Sequence, residues 1–248
     1  MGQVTVVTGG GRGIGAAVAV RLARAGHAIG IGYEKARETA EETAEAVRAE
    51  GAACATVRVD TSAEDQVDAL FDTVAAELGP VTGLVNNAGI TGPLGRFAET
   101  DPEVMRRVLD VNVMGALLCA RRAVRDLSTR YGGAGGAIVN ISSCAATTGS
   151  PGEYVHYAAT KAAVDAMTNG LAKEVAAEGI RVNSVQPGMI LTGMHAAMGD
   201  PERPWRNPDR VPMRRPGEPE EIAGAVAWLL SPEASYTTGA VLRVSGGL

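Results

Sequence analysis

The chain has 248 residues, of which 46% are hydrophobic and 21% are charged, and its formal net charge is −5. This acidic balance excludes a basic surface for nucleic acid or for anionic lipid. No run of about eighteen uninterrupted apolar residues occurs, so the sequence predicts no transmembrane helix and no membrane partner.

Short β-branched segments alternate with amphipathic helical segments along the whole chain. We predict strands at 3–8, 27–33, 53–60, 82–86, 136–142, 180–186 and 240–244, and helices near 13–25, 34–50, 63–78, 102–130, 154–178 and 219–230. Such alternation favours a parallel sheet with helices on both faces. The segment of about 189–215 lacks periodicity and is expected to be a substrate loop. No change in composition divides residues 1–248, so a single domain is expected.

The first predicted strand ends in a glycine-rich loop. Val4-Thr5-Val6-Val7-Thr8 precedes a helical pattern, and the residues between them are Gly9, Gly10, Gly11, Arg12, Gly13, Ile14 and Gly15. Glycines permit a sharp turn and let a pyrophosphate approach the helix N-terminus, where free N–H groups and the helix dipole favour an anion. A glycine loop between a strand and a helix therefore indicates a dinucleotide site.

Tyr157 and Lys161 lie four residues apart in a predicted helix. This spacing places both side chains on one helix face. A phenol has a reference pKa of about 10, so its ionisation at pH 7 costs roughly 4 kcal/mol. A fixed ammonium one turn away would lower that cost, and the pair is a candidate acid–base centre.

The N-terminus leads directly into a predicted strand, so no cleavable signal is expected. The three cysteines, Cys54, Cys119 and Cys144, share no ligand spacing and are expected to be reduced thiols. Both observations favour a cytoplasmic protein. His27, His156 and His195 also show no ligand spacing, so no metal site is predicted.

The glycine loop and the Tyr157–Lys161 pair together resemble the short-chain dehydrogenase/reductase family, and the resemblance covers essentially the whole chain. Further motifs follow in the family's order: Asn86-Asn87-Ala88-Gly89, Val111-Asn112-Val113-Met114-Gly115, Ile141-Ser142-Ser143, Pro187-Gly188 with Thr192, and Thr238-Gly239. Residues 149–154 are similar to those of a sugar dehydrogenase branch, in particular glucose 1-dehydrogenase. The resemblance implies an α/β, Rossmann-type, doubly wound fold: a seven-stranded parallel sheet in a three-layer αβα sandwich. It also implies an NAD(P)-dependent oxidoreductase that interconverts a carbonyl and a secondary alcohol.

The resemblance further implies four catalytic residues. Tyr157 would be the general acid in reduction and the general base in oxidation, and Ser143 would orient the substrate oxygen. Lys161 would lower the pKa of Tyr157 and hold the nicotinamide ribose. Asn112 would mark a helix distortion whose freed carbonyl holds a water on Lys161, although a mid-helix Asn can also simply face solvent. Ser142 is a rival to Ser143, because Ser143 precedes Tyr157 by one residue more than expected; Ser150 is a distant rival.

Cofactor contacts also carry over by position. They comprise Gly9, Arg12, Gly13, Ile14, Gly15, Tyr33, Asp60, Asn87, Ala88, Gly89, Tyr157, Lys161, Pro187, Gly188, Ile190 and Thr192. Asp60 would accept from the adenine amino group, or would instead cap the following helix. Tyr33 stands where NAD-type relatives carry Asp, and Arg12, assisted by Lys35, resembles the basic residue that holds a 2′-phosphate. We therefore expect NADP(H) to be preferred, with NAD(H) possible if Glu34 accepts from the ribose.

The partners implied are a small carbonyl or alcohol substrate and further copies of the chain. The substrate would be a sugar, a 3-oxoacyl thioester or another ketone. Five arginines of the substrate loop would either suit an anionic substrate or be solvated: Arg203, Arg206, Arg210, Arg214 and Arg215. The resemblance implies a homotetramer, paired through helices 102–130 and 154–178 and through the last strand with its preceding helix. A catalytically silent NAD(P)-binding regulator and a non-redox lyase or epimerase are the alternative functions.

Overall fold

The computed structural model describes residues 2–206 and 208–248. Within this part of the chain, seven strands form one parallel sheet: β1 (Gln3–Thr8), β2 (His27–Tyr33), β3 (Cys54–Arg58), β4 (Gly83–Asn86), β5 (Gly136–Ile141), β6 (Ile180–Pro187) and β7 (Val241–Val244). Their order in the sheet is β3-β2-β1-β4-β5-β6-β7. The strand order reverses between β1 and β4, and open sheets of this kind bind ligands at such a switch point. The expected Rossmann-type fold is confirmed.

The helices cover both faces of the sheet: α1 (Gly13–Ala23), α2 (Arg37–Ala49), α3 (Glu64–Leu78), α4 (Pro102–Leu109), α5 (Gly115–Leu127), α6 (Ala145–Thr148), α7 (Val155–Val175), α8 (Met194–Ala197), α9 (Arg203–Arg206) and α10 (Pro219–Leu230). Helices α1, α2 and α10 pack in one core, and α3, α5 and α7 pack in the other. Adjacent strand residues point to opposite faces, so Val6 lies in the second core and Val7 in the first. This alternation creates the three layers.

The helix predicted over 102–130 is not continuous. A π-helical turn at Asp110–Met114 separates α4 from α5, and α5 ends at Leu127. At the junction Gly115 passes Thr61 so closely that a Cβ there would lie 2.6 Å from the Thr61 hydroxyl oxygen. The predicted helix 34–50 begins later, at Arg37, because the preceding residues reverse the chain after β2.

The substrate loop, 189–215, contains the short helices α8 and α9. Its two ends are joined by a parallel bridge between Ile190 and Gly217. In that bridge the Leu191 N–H donates to the Gly217 carbonyl at 2.9 Å, and the Gly217 N–H donates to the Met189 carbonyl at 2.8 Å. The loop therefore starts and finishes at one point on the scaffold. Among the described residues, no helix is both long enough and apolar enough to cross a membrane.

Candidate active site

The glycine loop after β1 has the geometry of an anion cradle. Gly9 and Gly13 have φ values of 62° and 53°, in the left-handed region. A Cβ on Gly15 would lie 2.3 Å from the Gly9 carbonyl oxygen, so only glycine fits there. Helix α1 has no side-chain cap and no acidic residue in its first turn, and Ile14 packs partly on the core beneath it. Its first N–H groups are thus free for a phosphate, and the cradle fits a dinucleotide.

Thr8 fixes the switch point between β1 and β4. Its buried hydroxyl accepts from the Asn87 and Ala88 N–H groups, each at 3.0 Å. The Asn87 amide donates to the Thr8 and Gly9 carbonyls, at 2.9 and 3.1 Å. Asn87 is therefore bonded to the scaffold at the edge of the cofactor groove, the space between the glycine loop and the segment after β6. Thr8 is not among the predicted site residues, although it stands directly before the glycines in the sequence.

The segment after β6 forms the opposite wall of the groove. Pro187 ends β6, and Gly188 passes so close to Ser245 that a Cβ would lie 2.7 Å from the Ser245 Cα. Ile190 is buried, and Thr192 lies over the glycine loop, where a Cβ on Gly13 would be 3.3 Å from its methyl carbon. The cofactor residues expected in this segment thus face those of the glycine loop.

At the far end of the groove, Arg107 of α4 joins two carboxylates. Its guanidinium donates to Asp60 at 2.9 Å and to Glu34 at 3.2 Å, and Lys35 lies 3.6 Å from the same Glu34 oxygen. Burial alone would raise the pKa of Asp60, but hydrogen bonds from Ser62 and Arg107 outweigh it and hold the pKa below its ordinary value. Tyr33 is half-buried against the core at the end of β2.

Asp60 does not cap helix α3 directly. It accepts from the Ser62 N–H at 3.0 Å, one turn before the helix begins at Glu64. Arg12 is exposed at the start of α1. Nothing in the sequence pattern pointed to Arg107, which reaches Glu34 and Asp60 only through the fold.

Tyr157 and Lys161 lie on α7, and both are buried. The Lys161 ammonium donates to the Ile141 carbonyl at 2.7 Å and lies 5.7 Å from the centre of the Tyr157 ring. Gly89 lies against the ammonium, since a Cβ there would be 3.4 Å from it. The end of β4, the end of β5 and α7 therefore meet at Lys161.

Burial governs the charge of both groups. It raises the pKa of Tyr157 above its ordinary value; the neighbouring Tyr154 adds to this effect, while the Ser143 hydroxyl and the charge of Arg203 oppose it. Burial lowers the pKa of Lys161 to about 8, and Asp165 one turn later opposes that change. Tyr157 is therefore a protonated phenol at neutral pH in this arrangement.

The serines after β5 have different surroundings. Ser142 is buried and donates to the Lys161 carbonyl at 3.0 Å, so its hydroxyl faces the backbone of α7. Ser143 lines the cleft, and its hydroxyl lowers the pKa of Tyr157. Ser150 lies beside Tyr154. Of the three, Ser143 has the position expected of the serine that contacts the substrate.

Asn112 lies in the π-helical turn, where the resemblance implied a helix distortion. Its side-chain oxygen accepts from the Ile90 N–H at 2.8 Å, and its amide donates to the Ile90 carbonyl at 2.8 Å and to Thr160 at 3.0 Å. The side chain thus fastens the segment after β4 to α7 and does not face solvent.

A cleft of about 530 Å³ opens beside Ser143, at the carboxyl edge of the sheet. The substrate loop covers it with Met189, Pro204 and Val211. Arg203 in the same wall donates to Glu153 at 2.6 Å and to the Tyr154 hydroxyl at 2.8 Å. A second cleft of about 520 Å³ lies at the amino ends of β1 and β2, away from these groups.

The other loop arginines differ in their partners. Arg206 pairs with Asp200, and Arg210 lies 3.3 Å from Glu153. Arg215 forms two hydrogen bonds of 2.7 Å with Glu221 at the start of α10, outside the cleft. In the described part of the chain, no group of three or more His, Cys, Asp or Glu side chains is arranged to hold a metal ion.

Comparison with known proteins identifies the family. Residues 9–248 match the family model described as enoyl-(acyl carrier protein) reductase. The chain is 46% identical to the uncharacterized oxidoreductase YgfF of Escherichia coli K12 over 98% of its own length and 99% of that protein. It is 36% identical to glucose 1-dehydrogenase 2 of Bacillus subtilis, over 100% of this chain and 95% of that one.

Among solved structures, a blue fluorescent protein from a metagenomic library in complex with NADPH has a TM-score of 0.89 and 36% identity, over 99% of this chain and 97% of that chain. The chain therefore belongs to the short-chain dehydrogenase/reductase family, whose members transfer hydride between a nicotinamide cofactor and a carbonyl or alcohol.

Proposed function

We propose that this oxidoreductase interconverts a carbonyl and a secondary alcohol with Tyr157 as the general acid and base. The observation that supports this most is the meeting of Ser143, Tyr157 and Lys161 at one edge of the sheet. Ser143 lines the cleft and its hydroxyl favours ionisation of Tyr157, and Lys161 is buried one helical turn away. Two hydroxyl groups beside a cleft are the groups that a carbonyl oxygen needs as it becomes an alcohol.

The mechanism assigns each step to a named group. The nicotinamide ring, when bound, supplies or accepts the hydride. Ser143 donates to the substrate oxygen and orients it. Tyr157 transfers its proton to that oxygen as negative charge develops there, so the alkoxide does not accumulate. Lys161 keeps a positive charge close to the phenol, which stabilises the phenolate left behind. The residues of the groove walls would hold the cofactor on the same side of the sheet.

The protonation state of Tyr157 supports the reductive role at neutral pH. Burial raises its pKa, so the phenol carries the proton that reduction consumes. Oxidation requires the phenolate, and we expect its rate to increase with pH until Tyr157 is ionised. Ser143, Arg203 and, while it is protonated, Lys161 are the groups that favour that ionisation.

The test is Tyr157→Phe, assayed by nicotinamide absorbance with a panel of carbonyl and alcohol substrates. We expect the variant to lose at least about 10²-fold in kcat, since general acid–base catalysis contributes roughly 10²–10⁴-fold. Its dissociation constant for the cofactor should be unchanged, because the phenol acts in the transition state. A variant that keeps more than about a tenth of the wild-type kcat would contradict the role of Tyr157. A wild type that binds cofactor without net redox would favour the regulator or the lyase.

NADP(H) is the preferred cofactor in this proposal. Glu34 is the carboxylate that could repel a 2′-phosphate, and it is neutralised by Arg107 at 3.2 Å and Lys35 at 3.6 Å. Arg12 is exposed beside the glycine loop, with its guanidinium available to a phosphate. Tyr33 carries no charge at the position that holds an acid in NAD-type relatives.

The preference is measured as the ratio of kcat/KM for NADP(H) and NAD(H). We expect Arg12→Ala to lower this ratio at least about tenfold, which corresponds to about 1.4 kcal/mol. Glu34→Gln should raise it, and Arg21→Ala, on the same helix but outside the loop, should leave it unchanged. If NAD(H) is favoured by the wild type, or if Arg12→Ala leaves the ratio unchanged, Glu34 is the selector instead.

A homotetramer of single-domain subunits, working in the cytoplasm, completes the proposal. Leu109 of α4, Met114 of the π-helical turn and Leu117 of α5 expose large apolar side chains. Trp228 on α10 and Val241 on β7 do the same on another face. These are the two faces on which the resemblance implies pairing, and two such faces give a closed tetramer. Sedimentation that shows a monomer at micromolar concentration would contradict it.

A further inference from the structure

Arg203 connects the substrate loop to the residues directly before the catalytic helix. Its side chain is 12% exposed, and it donates to the Glu153 carboxylate at 2.6 Å and to the Tyr154 hydroxyl at 2.8 Å. The guanidinium also lies over the Tyr154 ring, 5.1 Å from the ring centre. A planar cation that makes two charge-assisted or polar bonds and stacks on an aromatic face is held in one orientation.

The Tyr154 ring, held by Arg203, is in direct contact with the ring of Tyr157. The Tyr154 and Tyr157 rings meet edge to face, with centres 5.1 Å apart and an angle of 86° between their planes. Both rings belong to the small apolar cluster that also contains Ala158 and Met198, and Met198 comes from the substrate loop. The position of Tyr157 is therefore set on one side by α7 and on the other by the loop.

We propose that Arg203 is a positioning residue that closes the substrate loop onto Tyr154 and, through that ring, holds Tyr157 in its reactive arrangement. The proposal rests on the acid–base role of Tyr157. Arg203 is not assigned to an anionic substrate, because its charge is paired with the Glu153 carboxylate and its Nη1 lies 3.5 Å from the Met189 sulfur. Arg210 reaches only Glu153, at 3.3 Å, and does not replace the contact with Tyr154.

The positive charge of Arg203 also acts on the pKa of Tyr157, which an uncharged contact would not do. The groups that face the Tyr157 phenol are Tyr154, Ser143 and Cys144 after β5, Lys161 on α7, and Arg203 on α9. Arg203 and Lys161 are the cations of this set, and both favour the phenolate. Loss of Arg203 should therefore raise the pKa at which Tyr157 becomes a base, whereas a neutral loop contact would leave that pKa in place.

The test compares Arg203→Met, Arg203→Lys and Tyr154→Phe with the wild type. For each, kcat, KM and the pH dependence of kcat/KM for alcohol oxidation are measured, together with the thermal unfolding temperature. Arg215→Met is the matched control, because Arg215 belongs to the same loop and its bidentate ion pair with Glu221 lies outside the cleft.

We expect Arg203→Met to raise KM and to shift the ascending limb of the pH profile upward by about half a unit to one unit, as expected for losing a partly screened charge. Arg203→Lys keeps the charge and loses the planar contacts. Its KM should therefore rise, while the ascending limb of its pH profile stays near that of the wild type. Tyr154→Phe should likewise raise KM. The control should match the wild type in both quantities.

If Arg203→Met is folded, and both its KM and the ascending limb of its pH profile equal those of the wild type, the proposal is wrong. Should Arg203→Met fail to fold, Arg203→Lys and Tyr154→Phe decide, and wild-type KM values in both would overturn it. A wild type without activity toward any carbonyl or alcohol would refute the proposed function and this inference together. Activity that is lost in Tyr157→Phe but unaffected by Arg203→Met would refute the inference alone.

Discussion

Replacement of Lys161 by Met should make the protein inactive and, near neutral pH, lower its unfolding free energy little or even raise it. Lys161 is a cation with 4% of its surface exposed, and burial depresses its pKa to about 8 from the ordinary value of 10.5. The native state therefore releases a proton that the unfolded chain still binds between these two values. Stability consequently rises with pH across that window and is lowest below it.

The magnitude follows from the two pKa values. At about 1.4 kcal/mol per pH unit, the native ammonium costs about 3 kcal/mol below pH 8 relative to fully alkaline solution. Removal of the ammonium leaves the buried Ile141 carbonyl, its partner at 2.7 Å, without a donor, at a cost of about 1–3 kcal/mol. The two effects nearly cancel at pH 7. As the pH rises to about 9.5, the wild type should gain about 2 kcal/mol on the variant.

Urea unfolding of the cofactor-free protein at several pH values, at one protein concentration, measures this difference. Lys173→Met is the control, because Lys173 lies on the exposed side of the same helix and should give a difference that does not vary with pH. If the wild type and Lys161→Met differ by the same amount at pH 7 and pH 9.5, the buried ammonium does not titrate in this window. The account of Lys161 would then be wrong.

Three further outcomes check other parts of the site. Ser143→Ala should lower kcat about 10²-fold, as expected when a donor to a developing oxyanion is lost. Ser142→Ala should keep its turnover and lose about 1 kcal/mol of stability, the usual value of one hydrogen bond. Equal kinetics in the two variants would contradict the assignment of Ser143. Gly15→Ala should weaken cofactor binding in calorimetry at least about tenfold, because its Cβ would lie 2.3 Å from a carbonyl oxygen of the loop, whereas Gly224→Ala, with open space around it, should not. Leu117→Asp should reduce the sedimenting mass from a tetramer to a smaller species, and an unchanged mass would exclude α5 from the interface.

The features that the sequence predicted depend on local rules. The strands follow from alternation and β-branched residues, and the glycine cradle follows from a backbone that has room for no other residue at Gly15. Tyr157 and Lys161 were recognisable because their spacing matches one helical turn. These rules connect residues that are close in the sequence, and so they can be applied without knowledge of the tertiary structure.

The features that the sequence missed depend on distant contacts. The resemblance implied a distortion at Asn112, but the residue pattern alone predicted one helix over 102–130, because a π-helical turn adds one residue without clearly disturbing the apolar spacing. Arg203 lies 49 positions from Tyr154, and only the folded loop brings them together. Tyr154 itself had a signal, since it begins the predicted helix 154–178 three residues before Tyr157, although the helix of the structure begins at Val155. The pKa of Tyr157 is raised because the ring is buried, and no rule about residue spacing predicts that burial.

The bridge between Ile190 and Gly217 makes the substrate loop an exchangeable part of the enzyme. Because the chain leaves and rejoins the scaffold at one hydrogen-bonded point, the span between can change length or composition without moving β6 or α10. Doubling the length of such a loop costs only about 0.6 kcal/mol in closure entropy. Selection, or an engineer, can therefore graft a loop from a relative to obtain a new substrate range, provided that the graft keeps Ile190 and Thr192 of the cofactor groove and the contact of Arg203 with Tyr154.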